Sequence, residues 1–178
     1  MKTIFPFFLF VSAVIAQPRE VSVTITRAAN TTAYTAGDAV SNEADSLLQK
    51  ILYASEIRRG IIRSIRVYED DGDVTNGNFR VIVLKDTSGY GLVADNEPVA
   101  MTPTKFAKVV GYSDVVLEIT GTTGGTAAWD INEGLDIEFD IGASDDDSGL
   151  WILLTATAAY TPSSAEVFKV VLVVEPYE

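Results

Sequence analysis

The chain has 178 residues with a formal net charge of −12, and it contains no cysteine and no histidine. That length suits one domain with a core of its own, while the acidic surplus repels phosphate backbones and argues against nucleic acid as a partner. The missing residue types exclude disulfides, Cys nucleophiles, Ser-His-Asp triads and histidine switches, and make zinc sites a poor fit, so any catalysis would rest on carboxylates, Lys, Tyr or a hard cation.

Residues Met1–Ala16 (MKTIFPFFLFVSAVIA) carry Lys2, an apolar run and Val14-Ile15-Ala16 before Gln17, the pattern of a secretory leader. The run is shorter than a bilayer span. Two readings stand: cleavage after Ala16, or retention as an apolar arm buried against a neighbouring subunit. The expected division is residues 1–16 as leader or arm and 17–178 as a single β-sandwich domain.

Val21–Arg27 alternates Val21, Val23 and Ile25 with Ser22, Thr24 and Thr26, which predicts a half-buried strand. Ala28–Asp38 reads as a loop closed by Gly37-Asp38, and Asn30-Thr31-Thr32 is a glycosylation triplet by pattern. Leu47–Ala54 fits helical spacing and a short strand almost equally; the β-rich surroundings favour strand.

Ile61–Glu69 and Asn78–Lys85 read as a central hairpin. Arg58, Arg59, Arg63 and Arg66 suit cross-strand pairing with carboxylates. In the second run Phe79, Val81 and Val83 share one face, while Ile82 and Leu84 make the other apolar, so a second sheet, a loop or a subunit must cover it. Asp70, Asp71 and Asp73 between the runs, and Asp145, Asp146 and Asp147 later, offer hard oxygens to Ca²⁺. Neither cluster has EF-hand spacing, and a solvated acidic turn that discourages edge pairing is the favoured reading.

Lys105–Val110 is expected as a short strand, Asp114–Thr120 as a strand with Val115, Leu117 and Ile119 inward, and Gly121–Gly125 as a turn. Leu135–Ile141 alternates cleanly, placing Asp136, Glu138 and Asp140 on one face. Carboxylates two apart on a strand are about 6.5–7 Å from each other, a spacing some glycosidase pairs use, but an ordinary acidic strand looks the same. Leu150–Ala159 and Val167–Val174 are almost continuously apolar, so one face of each exceeds what a single core needs. Ile82, Leu84, Val167, Val171 and Val173 are the candidate interface residues. Tyr34, Tyr90, Tyr112, Trp129 and Tyr160 are candidate sugar-stacking aromatics, with packing as the commoner role of such residues. No cofactor is expected.

Eight to ten short strands with Gly-, Asn- and Asp-rich turns predict an all-β, two-sheet antiparallel β-sandwich of jelly-roll-like connectivity, carrying the hydrophobic leader or arm.

Three blocks together carry a resemblance: Thr24–Asp38, TITRAANTTAYTAGD; Gly60–Asn96, closing on Ala94-Asp95-Asn96; and Leu150–Phe168, LWILLTATAAYTPSSAEVF. In this order the chain resembles a family of small β-sandwich proteins encoded among the structural genes of tailed bacteriophages. The matching positions are Arg27 to Asp38, Gly60 to Arg66, Phe79 to Val81, Asp95-Asn96, and Ala159 to Phe168. The resemblance implies a non-enzymatic virion component, an auxiliary capsid (decoration) or fibre-associated protein, with no catalytic residues to carry over. Expected partners are further copies of the chain and the major capsid protein or another virion protein, with no nucleic acid and no membrane in the assembled state. The departure from the family pattern is Met1–Ala16. It keeps open a secreted or cell-surface module, binding carbohydrate or building a pilus-like fibre, and an extracellular rather than virion location.

Overall fold

The computed structural model describes residues 17–42, 48–69, 77–88, 90, 94–119, 128–142 and 148–177, with backbone only at 118, 119, 128 and 129. Within them run β1 (Arg19–Thr26), β2 (Ala39–Val40), β3 (Gln49–Tyr53), β4 (Arg59–Glu69), β5 (Gly77–Leu84), the helix α1 (Pro103–Phe106), β6 (Val109–Ile119), β7 (Ala128–Asp140), β8 (Gly149–Ala156) and β9 (Val167–Pro176).

The strands form two antiparallel sheets. One has the order β1-β9-β4-β7; the other has β6-β5-β8-β2, with β3 also pairing with β8. They meet where β6 and β7 pair, at Glu118 with Trp129 and Ile119 with Ala128. Away from that corner, polar side chains bridge the gap between the two strands. The Val116 N–H donates to the Asp130 carboxylate at 2.8 Å, and the Asn132 amide donates to the Ser113 hydroxyl at 2.7 Å.

The pairing is nested. If β2 and β3 are taken as one interrupted strand, the first strand pairs with the last (β1–β9) and the second with the second-last (β2/β3–β8). The third then pairs with the sixth (β4–β7), and the two middle strands with each other (β5–β6).

Alternation builds the core between the sheets. Phe168, Val170, Leu172 and Val174 of β9 meet Phe79, Val81 and Val83 of β5 and Leu150, Ile152 and Leu154 of β8. In β4 the inward set runs Ile62, Ile65, Val67, and the three-residue step falls at a bulge between Ile62 and Ser64. The bulge keeps both halves of an eleven-residue strand in phase with the core.

A second apolar cluster lies outside the main core, with Ile82, Leu84 and Leu153 buried beside Ala39 and Tyr90, and Val99, Met101 and Trp151 packed around them. The connection from β5 to β6 supplies Tyr90, Val99 and Met101, so this segment covers the outer face of the second sheet.

Two expectations are corrected. The runs Ile61–Glu69 and Asn78–Lys85 are strands but do not form a hairpin. β4 lies between β7 and β9, and β5 between β6 and β8, in opposite sheets. Both runs are apolar enough to be central, and a central strand fills its two edges with long-range partners. Lys105–Val110 is not a strand throughout. Thr102 caps α1, its hydroxyl accepting from the Lys105 N–H, with Pro103 at the first helical position, and β6 begins only at Val109. The ambiguous stretch after residue 47 is strand, as favoured, over Gln49–Tyr53.

Candidate functional site

The chemistry that stands out is a buried polar knot at one end of the sandwich. At the end of β1 the Arg27 N–H donates to the Glu166 carbonyl at 3.0 Å, which holds the chain against β9. The Arg27 side chain is 0 % exposed, so each guanidinium nitrogen needs an acceptor. Nε donates to the Tyr34 hydroxyl; Nη1 to the carbonyls of Ser163 (3.0 Å) and Asn30 (3.3 Å); Nη2 to Asp95 Oδ2 (3.0 Å) and Asn30 Oδ1 (3.4 Å). Asp95 Oδ1 accepts from the Tyr34 hydroxyl at 2.5 Å and from the Ser41 N–H at 3.1 Å.

Aromatic packing extends the knot inward. Tyr34 and Tyr160 exchange backbone hydrogen bonds (2.7 and 3.3 Å), and their rings stack with centroids 6.1 Å apart. Tyr160 meets Phe79 edge-on at 5.4 Å, and Phe79 meets Phe168 at 5.1 Å. The Tyr160 hydroxyl donates to Glu166 Oε1, a buried carboxylate. Burial, followed by the neighbouring Asp95 carboxylate, pushes the Tyr34 phenol above its ordinary range. Burial and then Glu166 do the same to Tyr160. Neither phenol ionises near neutrality.

The knot joins three connections: β1–β2 through Arg27 and Tyr34, β5–β6 through Asp95, and β8–β9 through Tyr160, Ser163 and Glu166. Each of the three connections contributes from one of the blocks Thr24–Asp38, Gly60–Asn96 and Leu150–Phe168. Asp38 belongs here too, its carboxylate accepting from the Thr35 N–H at 2.6 Å to fix the turn through Gly37 (φ 96°). Asn96 takes the left-handed conformation (φ 65°), and its N–H donates to the Ala39 carbonyl at 2.9 Å. Sequence reasoning missed Arg27 and Glu166 as buried residues; both are charged, and only their place in the quoted blocks marks them.

The acidic face of β7 is taken up by partners. Asp136 pairs with Arg63, Asp140 with Arg59 (3.2 Å), and Glu138 accepts from the Tyr177 hydroxyl (3.1 Å). Arg63 also holds Glu175 at 2.6 Å, and Arg66 holds Glu20 at 2.9 Å. Arg59, Arg63 and Arg66 of β4 therefore make the cross-strand carboxylate pairs expected of them, whereas Arg58, which precedes β4, instead donates from Nε and Nη2 to the Gly142 carbonyl at 3.0 and 2.7 Å. Among the described residues no group of three or more acidic side chains is placed to hold a metal. Asp70, Asp71, Asp73, Asp145, Asp146 and Asp147 lie outside the described residues, as do Met1–Ala16 and Gly121–Gly125.

Of the aromatic candidates, Tyr34, Tyr90 and Tyr160 are buried and Tyr112 is 57 % exposed; the Trp129 side chain is outside the description. Tyr112 lies under the Arg80 guanidinium at 4.7 Å, and Arg80 forks onto Asp114 at 2.6 and 2.8 Å. An open cleft of about 1070 Å³ near the ends of β3, β5 and β7 is lined by Lys50, Lys85, Asp86, Asp140 and Trp151 among others. Lys50 Nζ lies 4.8 Å above the Trp151 ring. Its charges are mixed and do not converge on one point.

The candidate interface residues fall in two places. Ile82 and Leu84 sit under the β5–β6 connection. Val171 is buried and Val167 and Val173 half-buried on the outer face of the first sheet, where the Arg66–Glu20 ion pair spans β9 between its two neighbours.

No protein-family model matches the chain, and no curated protein matches it. Among solved structures it is similar to a chain of the Israeli acute paralysis virus full particle heated to 63 degrees. The identity is 10 %, covering 99 % of this chain and 86 % of that one, with a TM-score of 0.30. A likeness of that size carries no functional argument.

Proposed function

We propose that the chain is a non-enzymatic structural protein of a virus particle, a decoration or minor capsid protein built on a jelly roll and assembling as a homo-oligomer. The observation that carries this reading is the nested pairing of the strands. First-with-last pairing through to the middle pair, split over a four-stranded and a five-stranded sheet, supports a jelly-roll reading, a fold shared by viral capsid and lectin domains. The buried knot adds support. The three blocks that resemble phage structural proteins meet at Arg27, Asp95 and Tyr160, so the resemblance follows one physical unit and not scattered matches. Asp136, Glu138 and Asp140 of β7 are engaged in ion pairs and a hydrogen bond, and the Asp86 and Asp140 carboxylates that line the open cleft are held by Lys108 and Arg59, which weighs against acid/base work there.

The competing reading is a secreted carbohydrate-binding or pilus-like module. The leader-like Met1–Ala16 favours it, and the burial of Tyr34, Tyr90 and Tyr160 weighs against sugar stacking. Antibody raised against the recombinant chain tests both. Labelling of density-gradient-purified virus particles from the source is expected, with an intact mass that keeps Met1. A protein found only in the culture medium, beginning at Gln17 and absent from particles, would falsify the virion reading.

A further inference from the structure

We infer that the open edge of β1 is a self-association surface, where two copies pair β1 with β1 antiparallel about a two-fold axis at Val23. The inference deepens the homo-oligomer part of the proposed function and does not need the virion. β1 is the terminal strand of its sheet, and among the described residues no strand lies on its far side. The direction of its free backbone groups is fixed by two hydrogen bonds. The Arg27 N–H points to β9, at the Glu166 carbonyl, while the Thr26 N–H points away from β9, to the Asn42 side chain. Groups alternate along a strand, so Glu20, Ser22 and Thr24 also present N–H and C=O outward.

Natural edge strands are guarded by charge, proline, bulges or shortness. The stretch Val21–Thr26, VSVTIT, has none of these guards: six residues, no charge, no proline, five of them Val, Ile or Thr, on a ladder with β9 that has no register shift. In a chain of net charge −12 it is also a neutral strip along which two copies meet least repulsion.

The second copy fits by symmetry. Antiparallel neighbours share a sheet face only when residues of the same parity are opposite. A two-fold at Val23 meets this, setting Val21 opposite Ile25 of the second copy, Ser22 opposite Thr24, and Glu20 opposite Thr26. Ser22 and Thr24 then form hydrogen-bonded pairs and the core-side residues continue the apolar layer; the one like-charged pair this register creates, Arg19 opposite Arg27 of the second copy, is relieved because the Arg27 guanidinium is buried in its own knot. A cleft of about 320 Å³ lined by Arg19, Glu20, Val21, Leu52, Glu56 and Ile57 opens beside the start of β1.

The cysteine-free chain gives a clean test. On the axis two Val23 Cα atoms sit about 4.5 Å apart as a non-hydrogen-bonded pair, within disulfide range. In the full chain, Val23→Cys is expected to form an intermolecular disulfide under mild oxidation, while Thr24→Cys, displaced from the axis, does not. Sedimentation velocity over a concentration series is expected to show reversible dimers or a larger even-numbered oligomer. Ser22→Lys with Thr24→Lys sets lysine opposite lysine and is expected to weaken association about tenfold, with the thermal midpoint unchanged. An oligomer indifferent to the lysines and without the Val23→Cys cross-link overturns the edge while leaving self-association standing. A monomer at every concentration overturns both, and neither result bears on whether the chain labels virus particles.

Discussion

Arg27 Nη2 and Asp95 Oδ2 are 3.0 Å apart across 68 residues of sequence, with the side chains 0 % and 5 % exposed. A pair this buried gains its attraction only against the cost of removing both charges from water. Its net contribution is therefore small, but removing one partner strands the other. Arg27→Met or Asp95→Asn is expected to cost about 3–5 kcal/mol, which for a chain of this size lowers the thermal midpoint by about 10 °C. The double variant is expected to lose less than the sum of the single ones. Additive losses in urea titrations of the four proteins would show that the two charges do not couple.

Alkaline pH is expected to destabilise the fold through Tyr34 and Tyr160. Both phenols have folded pKa values raised above the ordinary one, so the native state keeps protons that the unfolded state releases above about pH 10. The stabilisation is complete below that pH and is lost as pH rises further, at about 1.4 kcal/mol per pH unit for each phenol. Absorbance at 295 nm should show these two tyrosines ionising together with unfolding. In Tyr160→Phe the slope of stability against pH between 10 and 11 should be shallower; an unchanged slope would remove Tyr160 from the account.

Two glycines mark places where one strand's backbone meets another with no room for a side chain. A Cβ on Gly149 would lie 2.4 Å from the Leu52 carbonyl oxygen, and one on Gly60 2.5 Å from that of Glu175. Both oxygens are fixed in sheets. Gly149→Ala and Gly60→Ala are expected to cost about 2–3 kcal/mol each. Gly134→Ala has open space around it but a φ of 70°, and should cost about 1 kcal/mol. Equal midpoints for all three in denaturant would refute the close-approach argument.

The Arg80–Asp114 fork is well formed but faces solvent, with side chains 40 % and 54 % exposed. The Arg80 hydrogen bond holds the Asp114 carboxyl below its usual range, so any contribution is present at neutral pH and fades as the carboxylate protonates in acid. Arg80→Ala is expected to cost no more than about 1 kcal/mol at neutral pH, less in high salt. A larger loss would mean that the cation over Tyr112, not the ion pair, is what matters there.

The individual strands were legible because alternation is a local signal. VSVTIT and LDIEFDI announce one buried face each, and β4 and β9 lie within two residues of their expected bounds. Pairing was not legible. The sequence between β4 and β5 is short and rich in Asp, Gly and Asn, the usual mark of a hairpin, yet each strand is apolar enough to sit mid-sheet, and their partners are far away in sequence. α1 was missed although Thr102-Pro103 is a helix-start signal, since the strand-like run after it masked the signal. β2 is two residues long and leaves no pattern to read. The knot was legible only in outline. Its residues are polar and scattered over three distant blocks, and nothing in their spacing says that the blocks meet or that Arg27 is buried.

The nested pairing also sets when the chain can fold. β9 is flanked by β1 and β4, and β8 by β5 on one side and β2 and β3 on the other, so each sheet lacks an interior strand until β8 and β9 have been made. Until then β1 has no neighbour, β2 and β3 have none, and apolar edges stay open to other nascent chains. Closure of both sheets therefore waits for β9, and long-range pairing of this kind is slow for a chain's size. Loss of Val167–Pro176 would remove the strand between β1 and β4 and leave β1 unattached to either sheet.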